Sequence, residues 1–408
     1  MPKPAKKPWT FLVYMAGDND LDPNGVQDLK EMKRVGTNAA INVVAQFDSE
    51  SNKHRTTRYL LTKGPKLATD VVGTLGNTNT GDPKNLIDFA AWGIANYPAD
   101  RYALILWNHG QGWDDTDIFE DDRHRSLRRV ATGRVRHALF HKPVRQLIQN
   151  EPNDPAITRA ILIDDNAKDF LDNLEMKKVL EAVHKKLGRK LDLLGMDACL
   201  MSMPEVGYQM REHVAFTVGS EETEPVDGWP YEQILGLLTK TPAVTPESLG
   251  KIVVKEYLAS YKGSGEAVTQ SLCNLGECAG LAAAVKVLAT SLTTALGDSA
   301  ARGAIRDARD KVQTYEVLDN VDFADLCLLI KGGAVPLKVK TACDGVLGAL
   351  GNYVVSSGYV GAKMRNSKGA SIYFPTVSIS PLYAGLDFVK ATGWGVFLKA
   401  YLAALRSR

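Results

Sequence analysis

Two residues in this chain could carry out nucleophilic chemistry together, Cys199 and His109. A thiolate is a strong nucleophile, but a free thiol is mostly protonated near neutral pH, so it needs a base beside it. An imidazole meets that need. The two residues lie far apart in sequence, so only the fold can pair them. Gly110 follows the histidine and lets backbone approach a substrate closely. The amides of Gly110 and Cys199 would then be placed to form an oxyanion hole. Each residue also has an ordinary reading. A cysteine in an apolar setting is commonly a core residue, and a histidine beside glycine is commonly a turn residue.

The elements that must bring the pair together are legible as strands. Thr10 to Met15, Ile41 to Phe47, Tyr102 to Trp107, Leu191 to Met196 and Val214 to Val218 are short, nearly continuous apolar runs. Thr56 to Thr62 alternates like an edge strand. Helical spacing is present over Gly25 to Arg34, Pro83 to Ala95, Leu174 to Leu187 and Pro204 to Glu212. Apolar strands alternating with amphipathic helices imply an α/β fold, a mostly parallel sheet sandwiched by helices. In such sheets reactive groups collect beyond the carboxyl ends of the strands. The runs ending at Trp107, Met196 and Val218 are followed by His109, Cys199 and the pair Glu221 and Glu222, which would share one rim.

Beyond a soft boundary near residue 242 the pattern changes. Residues 1–242 read as the catalytic unit and 243–408 as a smaller mixed α/β region completing the fold. There, Pro246 to Lys262, Leu281 to Leu296, Asp319 to Ile330 and Trp394 to Leu405 read as helices. Ala267 to Leu275 and Ala370 to Pro375 read as strands.

Composition narrows the functional classes. The chain has 408 residues, 45% of them apolar and 24% charged, with a formal net charge of +2. That length supports a sizeable core, and that balance gives no general drive toward nucleic acid or anionic membrane. No apolar run approaches the roughly 20 residues of a membrane span. The basic start before Trp9 lacks a small-residue cleavage site, so a cytoplasmic location is the default expectation, with a missing leader as the alternative. Five cysteines without a C-x-x-C pair argue against a disulfide framework or a zinc cluster. There is no G-x-S-x-G and no G-x-G-x-x-G after a strand, which disfavours a serine hydrolase or a dinucleotide enzyme. Lys331-Gly-Gly-Ala has no phosphate-loop pattern.

Several motifs, in order, carry a resemblance. They are VYMAGDNDL at Val13 to Leu21, WNHGQGW at Trp107 to Trp113, LGMDACLMSM at Leu194 to Met203, and GSEE at 219–222. DGWPY at Asp227 to Tyr231, GASIYFP at Gly369 to Pro375 and the stretch Trp394 to Tyr401 complete the set. Together they resemble the clostripain family, whose fold is caspase-like. The resemblance implies a cysteine endopeptidase with His109 as base and Cys199 as nucleophile, cutting protein or peptide substrates after Arg or Lys. It implies activation by a cut between the His and Cys segments. A calcium requirement accompanies it, with no site and no metal ligands assigned; no other cofactor is expected. A monomer or a processed two-chain form is expected. The alternative is a catalytically silent caspase-like scaffold that binds partners.

A buried cationic side chain needs a carboxylate partner. Asp197 lies two residues before Cys199, and on an extended strand the two side chains point the same way. It is the first candidate for the specificity pocket, with capping of the next turn as its other reading. Asp227 is a second candidate acid, and Trp229 a candidate apolar wall for the aliphatic stem. Glu221 and Glu222 read as structural or rim groups.

The connection from 114 to 156 opens acidic and turns strongly basic. Loops this long are usually functional or disordered. Arg125, Arg128, Arg129, Arg134 and Arg136 are candidate self-cleavage sites; an inert loop, an interaction arm or a cut by another protease are the alternatives. The run Asp18 to Asp22 begins like an EF-hand loop, but Pro23 and Leu29 occupy the positions that need Gly and Glu. It reads as an Asx-rich helix start.

Overall fold

A computed structural model of the chain describes residues 5–113, 161–167 and 169–406. Its strands are β1 (Lys7–Gly17), β2 (Ile41–Ser49), β3 (Arg55–Leu60), β4 (Val71–Gly76), β5 (Ala99–Trp107), β6 (Ile161–Asp164) and β7 (Asp169–Leu171). They continue with β8 (Leu191–Asp197), β9 (Val214–Gly219), β10 (Val268–Asn274), β11 (Asn320–Asp322), β12 (Val354–Val360) and β13 (Ser371–Tyr373). Among the described residues, nine strands form one sheet in the order β12-β10-β9-β8-β5-β1-β2-β3-β4. The central five, from β9 to β2, are parallel, and an antiparallel pair closes each side. This is the α/β sandwich expected from the alternating pattern.

Both faces of the central strands are dry. Along β1, Trp9, Phe11, Val13 and Met15 enter one core and Leu12, Tyr14 and Ala16 the other. That two-sided burial is why the strands read as continuous apolar runs. The helices are α1 (Asp22–Val35), α2 (Pro83–Asn96), α3 (Asn173–Leu187), α4 (Pro204–Met210), α5 (Tyr231–Lys240) and α6 (Pro246–Ser260). Six more follow: α7 (Cys278–Ala295), α8 (Ser299–Lys311), α9 (Phe323–Gly332), α10 (Leu337–Tyr353), α11 (Asp387–Thr392) and α12 (Trp394–Arg406). α1, α5 and α6 cover one face, and α2, α3 and α4 the other. α3 begins with a capping box between Asp172 and Glu175 and ends on Gly188 in the left-handed conformation.

Several elements differ from the sequence expectation. β3 is not an edge strand, because β4 pairs outside it. β4 is Gly-bearing and largely exposed, so its pattern carries little signal. The helix expected from Asp319 starts only at Phe323: the Asp322 side chain accepts from the Asp325 amide at 2.7 Å and caps it, which leaves 320–322 extended as β11. The strand expected over Ala370 to Pro375 shortens to β13, which pairs with β11 in a separate ribbon. Past residue 242, β10 and β12 continue the main sheet. The stretch Leu275–Ala295 is long and apolar enough for a membrane span, yet half of it is buried inside the fold. It packs against α10, α11 and α12.

The sheet centre leaves no room beside β8. A Cβ on Gly195 would stand 2.5 Å from Ile105 Cδ1 and 2.7 Å from the Trp229 ring. Gly195→Ala should therefore destabilise the chain by about 1–3 kcal/mol, seen as a lower urea midpoint at unchanged slope. An unchanged midpoint would contradict this packing.

Candidate active site

β5 and β8 are parallel neighbours, with Trp107 beside Asp197 in the register. The loops leaving their carboxyl ends therefore emerge side by side. The first carries Asn108, His109 and Gly110, and the second Ala198 and Cys199. His109, Asp197 and Cys199 line one cleft of about 40 Å³, together with Glu224, Val226 and Gly228.

Asn108 fixes the first loop. Its Nδ2 donates to the Ala16 carbonyl at the end of β1 and to the Ile163 carbonyl at 3.3 Å. Its Oδ1 accepts from the Ile163 amide at 2.9 Å. His109 is 17% exposed in its side chain, and its Nε2 lies 2.9 Å from Asp20 Oδ1. A carboxylate only accepts, so Nε2 carries the proton in that pair. Gly110 permits the close approach of the two loops. A Cβ there would lie 2.7 Å from the Cys199 carbonyl oxygen and 3.0 Å from Ala198 Cβ.

Cys199 is 3% exposed. Its sulfur accepts from the Glu224 amide at 3.2 Å and lies 3.8 Å from the Glu224 carbonyl. Burial pushes the thiol pKa up strongly, and the nearby acids Glu224, Glu222 and Asp197 push in the same direction. The resting sulfur is a thiol.

Asp197, buried, lines the same cleft. Its Oδ2 accepts from the Tyr231 hydroxyl at 2.7 Å and the Trp229 amide at 3.4 Å. Burial raises its pKa to about 6, against the lowering effect of the Tyr231 bond. It hydrogen-bonds with Glu224, whose pKa burial and the Asp197 charge push well above the usual range. Glu224 also accepts from Trp229 Nε1 at 3.2 Å and Gln270 Nε2 at 3.1 Å. The pair thus holds one proton, mainly on Glu224, and one negative charge at neutral pH. Gly228, with φ 55°, faces this charge; a Cβ there would stand 3.2 Å from both Asp197 oxygens.

Asp227 is exposed and lines a neighbouring cavity of about 270 Å³ with Asp28, Glu31 and Tyr261; Val226 and Gly228 border both spaces. Asp28 accepts from Trp107 Nε1 at 2.7 Å, and burial raises its pKa to about 9. Trp229 is fully buried and lines neither space, so its indole and amide serve the acid pair from behind the cleft. Glu221 is buried, accepts from the Tyr315 hydroxyl and the Gly369 amide, and so ties β9 to the C-terminal region. Arg125, Arg128, Arg129, Arg134 and Arg136 lie outside the described residues. Sequence reading missed Asn108 as a brace, Asp20 as the histidine's partner and Glu224 as the second acid.

The sequence profile of the clostripain family matches residues 13–138 and 148–399. Clostripain from Hathewaya histolytica is 26% identical over 225 residues, which make up 50% of this chain and only 36% of that protein's length. Two solved structures share the fold across 95% of this chain and 99% of their own, each at 20% identity. One is a secreted C11 cysteine protease from Bacteroides thetaiotaomicron in complex with an irreversible peptide inhibitor, with a TM-score of 0.69. The other is an inactive zymogen C11 protease from Parabacteroides distasonis, with a TM-score of 0.67.

The buried, protonated sulfur makes a direct prediction. In the freshly purified, uncut chain, Cys199 should react with iodoacetamide at pH 7 at least tenfold more slowly than free glutathione, by peptide mapping. Labelling as fast as glutathione would contradict the closed geometry.

Proposed function

This chain belongs to the clostripain family, and on that premise we propose that it is a cysteine endopeptidase cutting after Arg or Lys through Cys199 and His109. The observation that carries the reading is the single cleft lined by the thiol, the imidazole and Asp197. In the proposed reaction, His109 takes the Cys199 proton as the sulfur attacks the scissile carbonyl. The tetrahedral oxyanion is held by the Gly110 and Cys199 amides. Collapse breaks the C–N bond, and the leaving amine takes the proton from His109. His109 then deprotonates a water that attacks the thioester, and the thiol leaves with the proton restored. Asp20 orients the imidazole, as the third member of such constellations does.

Specificity follows from charge. The Asp197–Glu224 pair keeps one negative charge in a dry space, and an entering guanidinium or ammonium supplies its counter-charge. The acid-lined cavity beyond Gly228 offers further carboxylates, Asp227 among them. Trp229 positions the pair through its two N–H groups.

The present cleft, about 40 Å³, has room for a few waters but not for a basic side chain and the peptide that carries it. That supports a latent form, opened by cleavage in the 114–156 connection at one of Arg125, Arg128, Arg129, Arg134 or Arg136. The same burial of Cys199 favours the rival reading, a silent scaffold.

Incubation of full-length protein followed by mass spectrometry separates the two readings. Wild type should cut itself within Arg123 to Arg145 and then hydrolyse fluorogenic arginyl amides, and Cys199→Ala should do neither. His109→Ala should lose roughly 10²–10⁴ in kcat. Asp197→Asn in the processed enzyme should lose at least about thirtyfold in kcat/KM for arginyl substrates, as expected when one member of a buried charge pair is neutralised. A Cys199→Ala chain that still processes itself and cleaves would overturn the reading; a wild type that does neither would favour the scaffold.

A further inference from the structure

A second group of acids lies behind the His109 loop and takes no part in the chemistry above. Asp18 follows the last residue of β1, Asp48 lies in β2 and Asp164 closes β6. Three strands thus deliver one carboxyl each to the same spot. One oxygen from each lies within 4.8 Å of the others, and all three residues are buried, Asp48 and Asp164 completely.

Their hydrogen bonds are unevenly shared. Asp164 is fully engaged: Oδ2 accepts from the Thr80 amide at 2.9 Å and its hydroxyl at 3.1 Å, and Oδ1 accepts from the amides of Asn166 and Ala167. Asp18 Oδ1 is paired with His54 Nδ1 at 2.5 Å. Asp18 Oδ2 and both oxygens of Asp48 are buried with no hydrogen-bond partner. The Thr56 hydroxyl is close enough to Asp48 to favour its charged form, and it also shares a 2.6 Å hydrogen bond with the Thr78 hydroxyl, in which either oxygen can donate. Buried carboxyl oxygens without partners are strongly unfavourable unless a counter-charge meets them. His54 supplies at most one positive charge, against three acids. Burial and the mutual repulsion of the three accordingly push Asp48 up to about 7 and raise Asp164.

The chemistry of the donors selects the ligand. They are carboxylate oxygens, which suit hard divalent cations rather than soft ones. All three donors are buried, which favours Ca²⁺ over Mg²⁺, because Mg²⁺ dehydrates reluctantly and usually keeps several waters. We propose that Asp18, Asp48 and Asp164 form a Ca²⁺ site that cross-links the ends of β1 and β2 to β6. The link reaches the catalytic rim. The Ile163 backbone exchanges bonds with Asn108, its carbonyl also accepts from Asn19 Nδ2 at 2.8 Å, and the Asp165 amide donates to the Asp18 carbonyl at 3.0 Å. A cation here would brace the segment that holds the His109 loop. The site itself stands apart from the peptidase reading.

Direct binding tests it without reference to activity. Full-length Cys199→Ala protein, which should not cut itself, is stripped with EDTA and titrated with CaCl₂ by calorimetry and thermal unfolding. One Ca²⁺ per chain should bind, and Tm should rise by several degrees. Adding Asp48→Asn should weaken binding at least tenfold and remove the Ca²⁺-dependent rise. That variant should melt no lower than its parent in EDTA, because it removes repulsion among three buried acids and an asparagine oxygen can still accept from the Thr56 hydroxyl. If it fails to fold, Asp18→Asn carries the same expectation for binding. Absence of stoichiometric binding, or an Asp48→Asn chain that binds like its parent, would overturn the proposal. An equal Tm rise with the same concentration of Mg²⁺ would overturn the assignment to calcium.

Discussion

A thiol and two carboxyl groups share a space too dry to hold all three charged. Taking a charge out of water is costly unless a partner compensates it. Asp197 and Glu224 meet that constraint by holding one proton between them, and Cys199 meets it by remaining a thiol. On the proposed reading, the same constraint governs both latency and selectivity. The sulfur gains nucleophilic character only as His109 receives its proton. The remaining negative charge is relieved by the basic side chain that specificity demands. A neutral side chain in that place would leave the charge stranded.

The sheet is what makes the crowding possible. Parallel β5 and β8 send their chains out at the same edge, and β9 sends out the segment that carries Glu224. Gly110 and Gly228 remove side chains where two backbones or a backbone and a carboxylate must nearly touch. Asn108 then locks the histidine loop to β1 and β6 through three hydrogen bonds. The buried acid trio draws on the same architecture one strand further along, where β1 and β2 end.

Much of this was legible in the sequence, for a physical reason. Strands buried on both faces are apolar at every position, so β1, β2, β5, β8 and β9 stand out and the residues just after them become candidates. Cys199, His109, Gly110 and Asp197 were reached that way. Residues whose roles depend on the turn of a loop were not. Glu224 sits in an irregular stretch with no period to place it, and Trp229 looked like a wall because an indole near a pocket usually is one. The run Asp18 to Asp22 failed as a local calcium loop because two required positions are wrong, and Asp48 and Asp164 carry no local spacing that would link them to Asp18. Short or exposed strands such as β4 and β11 were hidden by weak patterning and by capping residues that only the fold reveals.

Covalent capture tests the central claim most directly. Processed protein treated with a peptidyl-arginine chloromethyl ketone should gain one adduct, mapped to Cys199 and absent after His109→Ala, with a norleucine analogue reacting far more slowly. An adduct on another residue, or equal labelling by the arginine and norleucine reagents, would contradict a thiol and imidazole poised beside a buried acid.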